Sequence, residues 1–213
     1  MKTRLIFIRH GFSESNKCGV FTGQADIPLT EIGLRQADYA ASYLKDMHID
    51  KLYASPLSRA YDTGLAVAKE HGLRMIADAR LCEINGGDWQ EQPYSRMGEI
   101  SFENYDLWKN NLIECKCPNG ETVREFAKRV YTAVTEIAEA NAGKTICIVT
   151  HATPIRVISC YASGLEIEQL QNVPWTPNAS INIIDYENGK FAFIERDITR
   201  HLKNLETNLP SHV

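Results

Sequence analysis

Long apolar runs are missing from this chain. No segment approaches the roughly 18 uninterrupted apolar residues that a membrane-spanning helix needs. Met1-Lys2-Thr3-Arg4 leads into a short apolar stretch without the extended hydrophobic region of a secretory signal. A cytoplasmic protein with no membrane partner is expected. A cationic excess is missing too: 27 Asp and Glu outweigh 23 Lys and Arg, for a formal net charge of -4. That sign argues against nucleic acid or anionic lipid as a partner, so an anionic ligand has to be held by a local basic pocket. Cysteines stand at 18, 82, 115, 117, 147 and 160, but no Cys-x-x-Cys occurs, and the chain is not of the small disulfide-stapled kind. They are expected to be reduced packing residues. Cys115-x-Cys117 has no nearby histidine or further cysteine to complete a zinc site, so neither metal nor cofactor is assigned. Internal repeats and low-complexity tracts are absent.

What is present is enough for a sizeable core: 213 residues, 44% of them hydrophobic, expected to form one domain over 1–213. The run Leu5-Ile6-Phe7-Ile8 reads as a buried strand, as does Thr145-Ile146-Cys147-Ile148-Val149. Thr30 caps a helix over about 31–46 whose apolar face is Ile32, Leu34, Ala37, Ala41 and Leu44. Lys51-Leu52-Tyr53-Ala54 reads as a strand, followed by Ser55 as N-cap, Pro56 at the first helical position and a helix ending at Gly72. Arg74-Met75-Ile76 suggests a short strand. Val123, Phe126, Ala127, Val130, Val134, Ile137 and Ala138 follow helical spacing, with Gly143 as a stop. Thr153-Pro154 is a second N-cap and proline pair, and Asn188-Gly189 signals a hairpin. Alternating strands and helices imply an α/β fold, a three-layer α/β/α sandwich with a mainly parallel sheet and an antiparallel edge or hairpin. Between about 84 and 120 the periodicity fails, and that stretch reads as a lid-like insertion over the crevice.

Chemistry concentrates where strands end, as it does in open parallel sheets. Arg9-His10-Gly11 terminates the first strand, Ser55 to Arg59 follows another, and Thr150-His151 closes a third. Brought together, Arg9, His10, Arg59 and His151 describe a pocket for a doubly charged tetrahedral anion, phosphate above all. A neutral imidazole aimed at phosphorus is a nucleophile, and the two arginines favour neutral His10 by like-charge repulsion. His151 is expected to stay protonated as a donor to the phosphate. Asn16 adds an amide donor if the loop after the first strand curls back, and Gly11 permits close backbone approach. Glu83 is the favoured proton donor to the leaving alcohol, ahead of Asp88, Glu14 and Asp26, because a neighbouring phosphate dianion would keep it protonated. His48, His71 and His212 read as exposed and His201 as structural. Trp89, Trp108 and Trp175 read as packing residues, with Trp89 the one that reaches substrate.

These residues resemble the histidine phosphatase superfamily, also called phosphoglycerate-mutase-like. The likeness runs from Leu5 to about Leu202, and its short form is similar to bacterial phosphatases of the α-ribazole-5'-phosphate and broad-specificity types. Leu5 to Asn16 resembles the opening motif, which implies His10 as phosphoacceptor with Arg9 and Asn16 beside it. Thr22-Gly23-Gln24-Ala25-Asp26 is similar to the next segment, with Thr22 and Gly23 edging the substrate site. Ser55-Pro56-Leu57-Ser58-Arg59 matches the second arginine, Leu81-Cys82-Glu83-Ile84 the acid, and Val149-Thr150-His151 the second histidine. Pro118-Asn119-Gly120-Glu121-Thr122 looks like the stretch before the family's long helix. Ala152 stands where glycine is usual, Gly86 where an aromatic commonly precedes Gly87, and Gln90-Glu91 where Glu-Gly is common. The resemblance implies metal-independent hydrolysis of a small phosphorylated metabolite through a phosphohistidine. Phosphoglycerate mutase activity and a non-catalytic phospho-ligand module are the alternatives, and a homodimer is left open. Mutases of the family carry a basic insertion, whereas only Arg96, Lys109 and Lys116 lie between Glu83 and Val123.

Overall fold

β1 (Thr3–Arg9) is buried at every position from Leu5 to Arg9, as a strand covered on both faces must be. It pairs parallel with β4 (Thr145–Thr150) and antiparallel with β5 (Ile181–Glu187). The computed structural model, which describes residues 1–207, completes the sheet with β2 (Lys51–Ala54), β3 (Met75–Ala77) and β6 (Lys190–Ile198), in the order β3-β2-β4-β1-β5-β6. β3, β2, β4 and β1 run parallel. β5 and β6 form the antiparallel edge, turned through Asn188 and Gly189, whose φ values of 51° and 77° are those of a tight hairpin.

Alternation along the central strands sorts the helices into two layers. Leu5, Phe7, Ile146 and Ile148 face a cluster with α6 (Val123–Glu139) and α7 (Ala152–Ala162). Ile6, Ile8, Cys147 and Val149 face the other, with α2 (Glu31–Leu44) and α3 (Ser58–His71). The expected three-layer sandwich is the fold observed. All seven apolar residues assigned to α6 are buried, and Thr122 and Glu125 close a capping box at its start. Among the described residues, no helix is long and apolar enough to cross a membrane. The cysteines are free, and all but Cys18 are buried.

Three local expectations are corrected. In α2, Thr30 caps as expected, accepting from Gly33 N–H at 3.0 Å, but Ile32 and Leu34 are exposed and Gly33, Gln36 and Ala40 take their place inside. The cause is a backbone-to-backbone contact: a Cβ on Gly11 would lie 2.4 Å from the Gly33 carbonyl oxygen, so the helix turns its glycine, not its bulky neighbours, toward β1's exit. Gln36 is satisfied inside, accepting from Phe12 N–H and donating to the Leu205 carbonyl, both at 2.7 Å. α3 begins at Ser58 with Leu57 as N-cap, so Ser55 and Pro56 precede the helix. Outside the helix, the Ser55 hydroxyl meets His151 at 2.8 Å and accepts from Leu57 N–H at 3.3 Å, while the Ser58 N–H is capped by Asp26 across the loop at 2.7 Å. α7 begins at Ala152 with His151 as N-cap, which moves Thr153 and Pro154 inside the first turn, where a missing N–H costs nothing.

The irregular stretch after β3 holds short 3-10 turns, α4 (Met97–Ile100) and α5 (Phe102–Asn110). Trp89 is its fully buried centre, in edge contact with Trp108 and Phe21. Reciprocal bonds from Phe21 N–H to the Gln92 carbonyl and from Glu91 N–H to the Phe21 carbonyl, both 2.8 Å, tie it to the loop after α1 (Glu14–Cys18).

Candidate active site

Because β1 and β4 pair in parallel with Arg9 opposite Thr150, the residues that follow them emerge side by side. His10 N–H donates to the Thr150 carbonyl at 2.9 Å, and the His10 and His151 rings meet edge to face with centroids 5.2 Å apart. β2, on the far side of β4, delivers Ser55 and then Arg59 in the first turn of α3. Arg9, His10, Arg59 and His151 therefore converge as the strand-end reasoning expects, and all four are buried.

Hydrogen bonds give each group an orientation. His10 Nδ1 lies 2.7 Å from the Gly11 carbonyl oxygen. A carbonyl only accepts, so Nδ1 carries the proton and Nε2 keeps its lone pair. Burial, then Arg59 and Arg9, pushes the His10 pKa well below the ordinary imidazole value. Arg59 is braced by the Gly23 and Ala25 carbonyls at 2.7 and 2.8 Å, and Arg9 by the Thr176 carbonyl at 2.6 Å. Burial lowers both guanidinium pKa values to about 10, which leaves them cationic at neutral pH. His151 Nε2 pairs with the Ser55 hydroxyl at 2.8 Å. Burial and then Arg59 also hold His151 well below the usual value, so its expected protonation is not supplied by the protein's own groups. The Nε atoms of Arg9 and Arg59 and Nδ1 of His151 are buried without a hydrogen-bond partner. Orphaned buried donors cost about 1–3 kcal/mol each, a cost that an oxyanion among them would remove.

The remaining candidates surround this floor. Asn16 lines the cleft; its Oδ1 accepts from Ser13 N–H at 3.3 Å and from Asn178 Nδ2 at 3.0 Å, which commits the carbonyl end and leaves the amide N–H group for a ligand. Thr22, Gly23 and Ala152, the first residue of α7, line the cleft as well. Glu83 lines it too, accepting from Ile84 N–H at 2.9 Å and Thr153 N–H at 3.3 Å. The competing carboxylates are engaged elsewhere: Asp26 caps α3, Glu14 pairs with Lys17, and Asp88 accepts from Asn119.

Several contributors went unread in the sequence. Ser55 was assigned as a cap, yet it touches His151. Asn178 Nδ2 reaches the His10 carbonyl at 3.2 Å as well as Asn16. Arg129 grips Glu121 with two bonds and donates to the Arg80, Cys82 and Glu83 carbonyls, while Glu121 accepts from Asn85 N–H, so the segment carrying Glu83 is clamped from both ends. Phe21, Tyr94, Trp108 and Trp175 line the cleft. Trp89 is the packing residue its reading gives, fully buried in the insertion and donating to the Met97 carbonyl at 3.1 Å, and it does not reach the cleft; Trp108 and Trp175, also read as packing, line it instead. The Glu121 signal lay in the Pro-x-Gly-Glu-Thr stretch, whereas the aromatic wall has no fixed spacing to find it by. His48 is exposed, His71 is half-buried and His201 is buried against the Ala179 carbonyl; His212 lies outside the described residues. Among the described residues, no group of three or more His, Cys, Asp or Glu is arranged to hold a metal ion.

The sequence matches the family model of the histidine phosphatase superfamily (branch 1) over residues 5–199. It is 30% identical over 202 residues to phosphoserine phosphatase 1 of Hydrogenobacter thermophilus, covering 93% of this chain and 94% of that protein. It is 27% identical over 188 residues to a Yersinia pestis protein named "Probable phosphoglycerate mutase GpmB", covering 86% of this chain and 85% of that one. The structure of the alpha-ribazole phosphatase from Shigella flexneri superposes with a TM-score of 0.83 at 26% identity, over 92% of this chain and 96% of that one.

Proposed function

Since the chain belongs to the histidine phosphatase superfamily, we propose that it hydrolyses small phosphomonoesters through a phosphohistidine at His10, without a metal ion. The observation that carries this reading is the Nδ1 bond from His10 to the Gly11 carbonyl, which leaves Nε2 as a free nucleophile between two buried arginines. In the first step Nε2 attacks phosphorus, the ester P–O bond breaks, and Glu83 gives its proton to the departing alkoxide. Arg9, Arg59, His151 and the Asn16 amide stabilise the charge on the phosphoryl oxygens. In the second step water gives a proton to Glu83 and attacks phosphorus, and the N–P bond breaks to return His10.

Mutase action would need cations outside the phosphate floor to retain a carboxylated intermediate. Arg9 and Arg59 are the only cations among the described lining residues, which favours hydrolysis. A pure binding module would have no use for a nucleophile faced by a carboxylate. The test is phosphate release from p-nitrophenyl phosphate by chelator-treated protein, with His10→Ala alongside and rapid quenching to trap the phosphoenzyme. Turnover with label on His10 is expected; equal turnover by the variant would sink the reading.

A further inference from the structure

The floor of the cleft accounts for a phosphate, and its upper wall has a different character. Phe21, Tyr94, Trp108 and Trp175 make that wall. Its rings are already fixed: Phe21 meets Trp108 with centroids 5.3 Å apart and Tyr94 with centroids 5.9 Å apart. A Cβ on Gly86 would fall 2.3 Å from Phe21 Cε1, so the absent side chain at 86 is what allows Phe21 its place. Polarity is sparse there. Tyr94 offers a hydroxyl that burial pushes up to about 12, so it stays neutral at physiological pH.

The charge balance of the wall is as informative as its shape. Arg9 and Arg59 are committed to the phosphate site, and among the described lining residues no further cation faces a leaving group. Arg156 lies nearby but behind the wall, buried, donating to the Val173 carbonyl at 2.9 Å and the Leu170 carbonyl at 3.0 Å. Its guanidinium sits 4.0 Å from the Trp175 ring centroid, a cation–π contact that braces the indole. Tyr94 aside, the one ionisable side chain left to meet a leaving group is the Glu83 carboxyl, which offers a proton and no positive charge. A substrate carboxylate placed here would lose water and find no cation beyond the two arginines of the phosphate site.

We infer that the leaving alcohol this cleft takes is uncharged and carries a flat apolar body, an aryl ring by preference, rather than a carboxylate. The inference rests on the proposed phosphatase reading and narrows its substrate class. Aryl rings would stack on Trp175 and meet the edges of Phe21 and Trp108, while the phosphate remains on the arginines.

The test compares three primary alkyl esters of matched chemistry: 2-phenylethyl phosphate, O-phosphoserine and 3-phosphoglycerate. Beside it, calorimetry compares the unreactive phosphonates 3-phenylpropylphosphonate and 2-amino-4-phosphonobutanoate. Expected are a kcat/KM at least about tenfold higher for the phenylethyl ester and binding at least about tenfold tighter for the phenyl phosphonate, a difference of about 1.4 kcal/mol. Trp175→Ala should remove most of both preferences. Hydrolysis with a carboxylated ester equal or better overturns the inference and leaves the phosphatase reading standing, and preferences unchanged in Trp175→Ala overturn it as well. If no ester is turned over, the phosphatase reading falls and the phosphonates alone decide: tighter phenyl binding supports this wall assignment, and equal or weaker binding overturns it.

Discussion

The Ser55 hydroxyl lies 2.8 Å from His151 Nε2, and this buried contact joins the end of β2 to the end of β4. When the hydroxyl donates, Nε2 is the acceptor and the ring proton sits on Nδ1, the nitrogen that is buried without a partner. In the proposed reaction Ser55 then acts as a positioning residue, setting the tautomer that offers an N–H to a phosphoryl oxygen. Ser55→Ala is expected to lower kcat by about 10- to 100-fold, in the range for lost orienting partners. Ring ¹⁵N shifts of His151 should show the tautomer shifted, and Ser55→Thr should restore both. A lowered kcat with unchanged ring shifts would remove the tautomer explanation.

Glu83 is expected to matter in proportion to how poorly the alcohol leaves. Glu83→Gln should cost about 10²- to 10⁴-fold with alkyl phosphates and much less in the first step with p-nitrophenyl phosphate, whose leaving group needs no proton. Single-turnover rates of His10 phosphorylation measure this directly; equal losses for both esters would take the acid role from Glu83.

The clamp behind it should be separable from the acid. The Arg129 and Glu121 side chains are 21% and 23% exposed, so removing one partner is expected to cost about 1–3 kcal/mol, below the figure for fully buried pairs. Arg129→Met should lower both the denaturation midpoint and kcat. Adding Glu121→Gln should cost little more, because the two act together. Additive losses in that double-variant cycle would show that they do not.

His10 and His151 both have pKa values pushed well below 6.5 by burial first and Arg59 next. Unfolded, they bind protons that the folded protein refuses, so their contribution to stability is complete above about pH 7 and is lost as pH falls below about 6.5. Each contributes a slope of at most about 1.4 kcal/mol per pH unit. Thermal midpoints between pH 7.5 and 5.5 should fall, and less steeply in His10→Asn with His151→Asn. The acid limb of kcat/KM belonging to His10 should likewise lie below pH 6.5; a limb above it contradicts the neutral nucleophile.

Glu91 holds φ at 63°, in the left-handed region where a side chain costs about 1–2 kcal/mol. Glycine is common at this place in the family pattern. Glu91→Gly, at an exposed position, should raise the thermal midpoint by about 2–4 °C. A fall would mean that the greater freedom of the unfolded glycine chain outweighs the relief.

The sequence by itself determined the alternation of strands and helices, the buried faces of α6 and the central strands, and the meeting of Arg9, His10, Arg59 and His151. These follow from short-range periodicity plus one topological regularity, that parallel strands end on the same edge. Only the tertiary structure decided where α3 begins, because the Ser58 N–H takes its cap from Asp26, a partner distant in sequence. It also decided which face of α2 is buried, since the Gly11 to Gly33 contact outweighs the apolar pattern of Ile32 and Leu34. The aromatic wall was likewise decided in three dimensions. Phe21, Tyr94, Trp108 and Trp175 come from separate segments that share no period; Phe21 and Trp108 are held by their contacts with the buried Trp89, and local propensity carries no trace of the meeting.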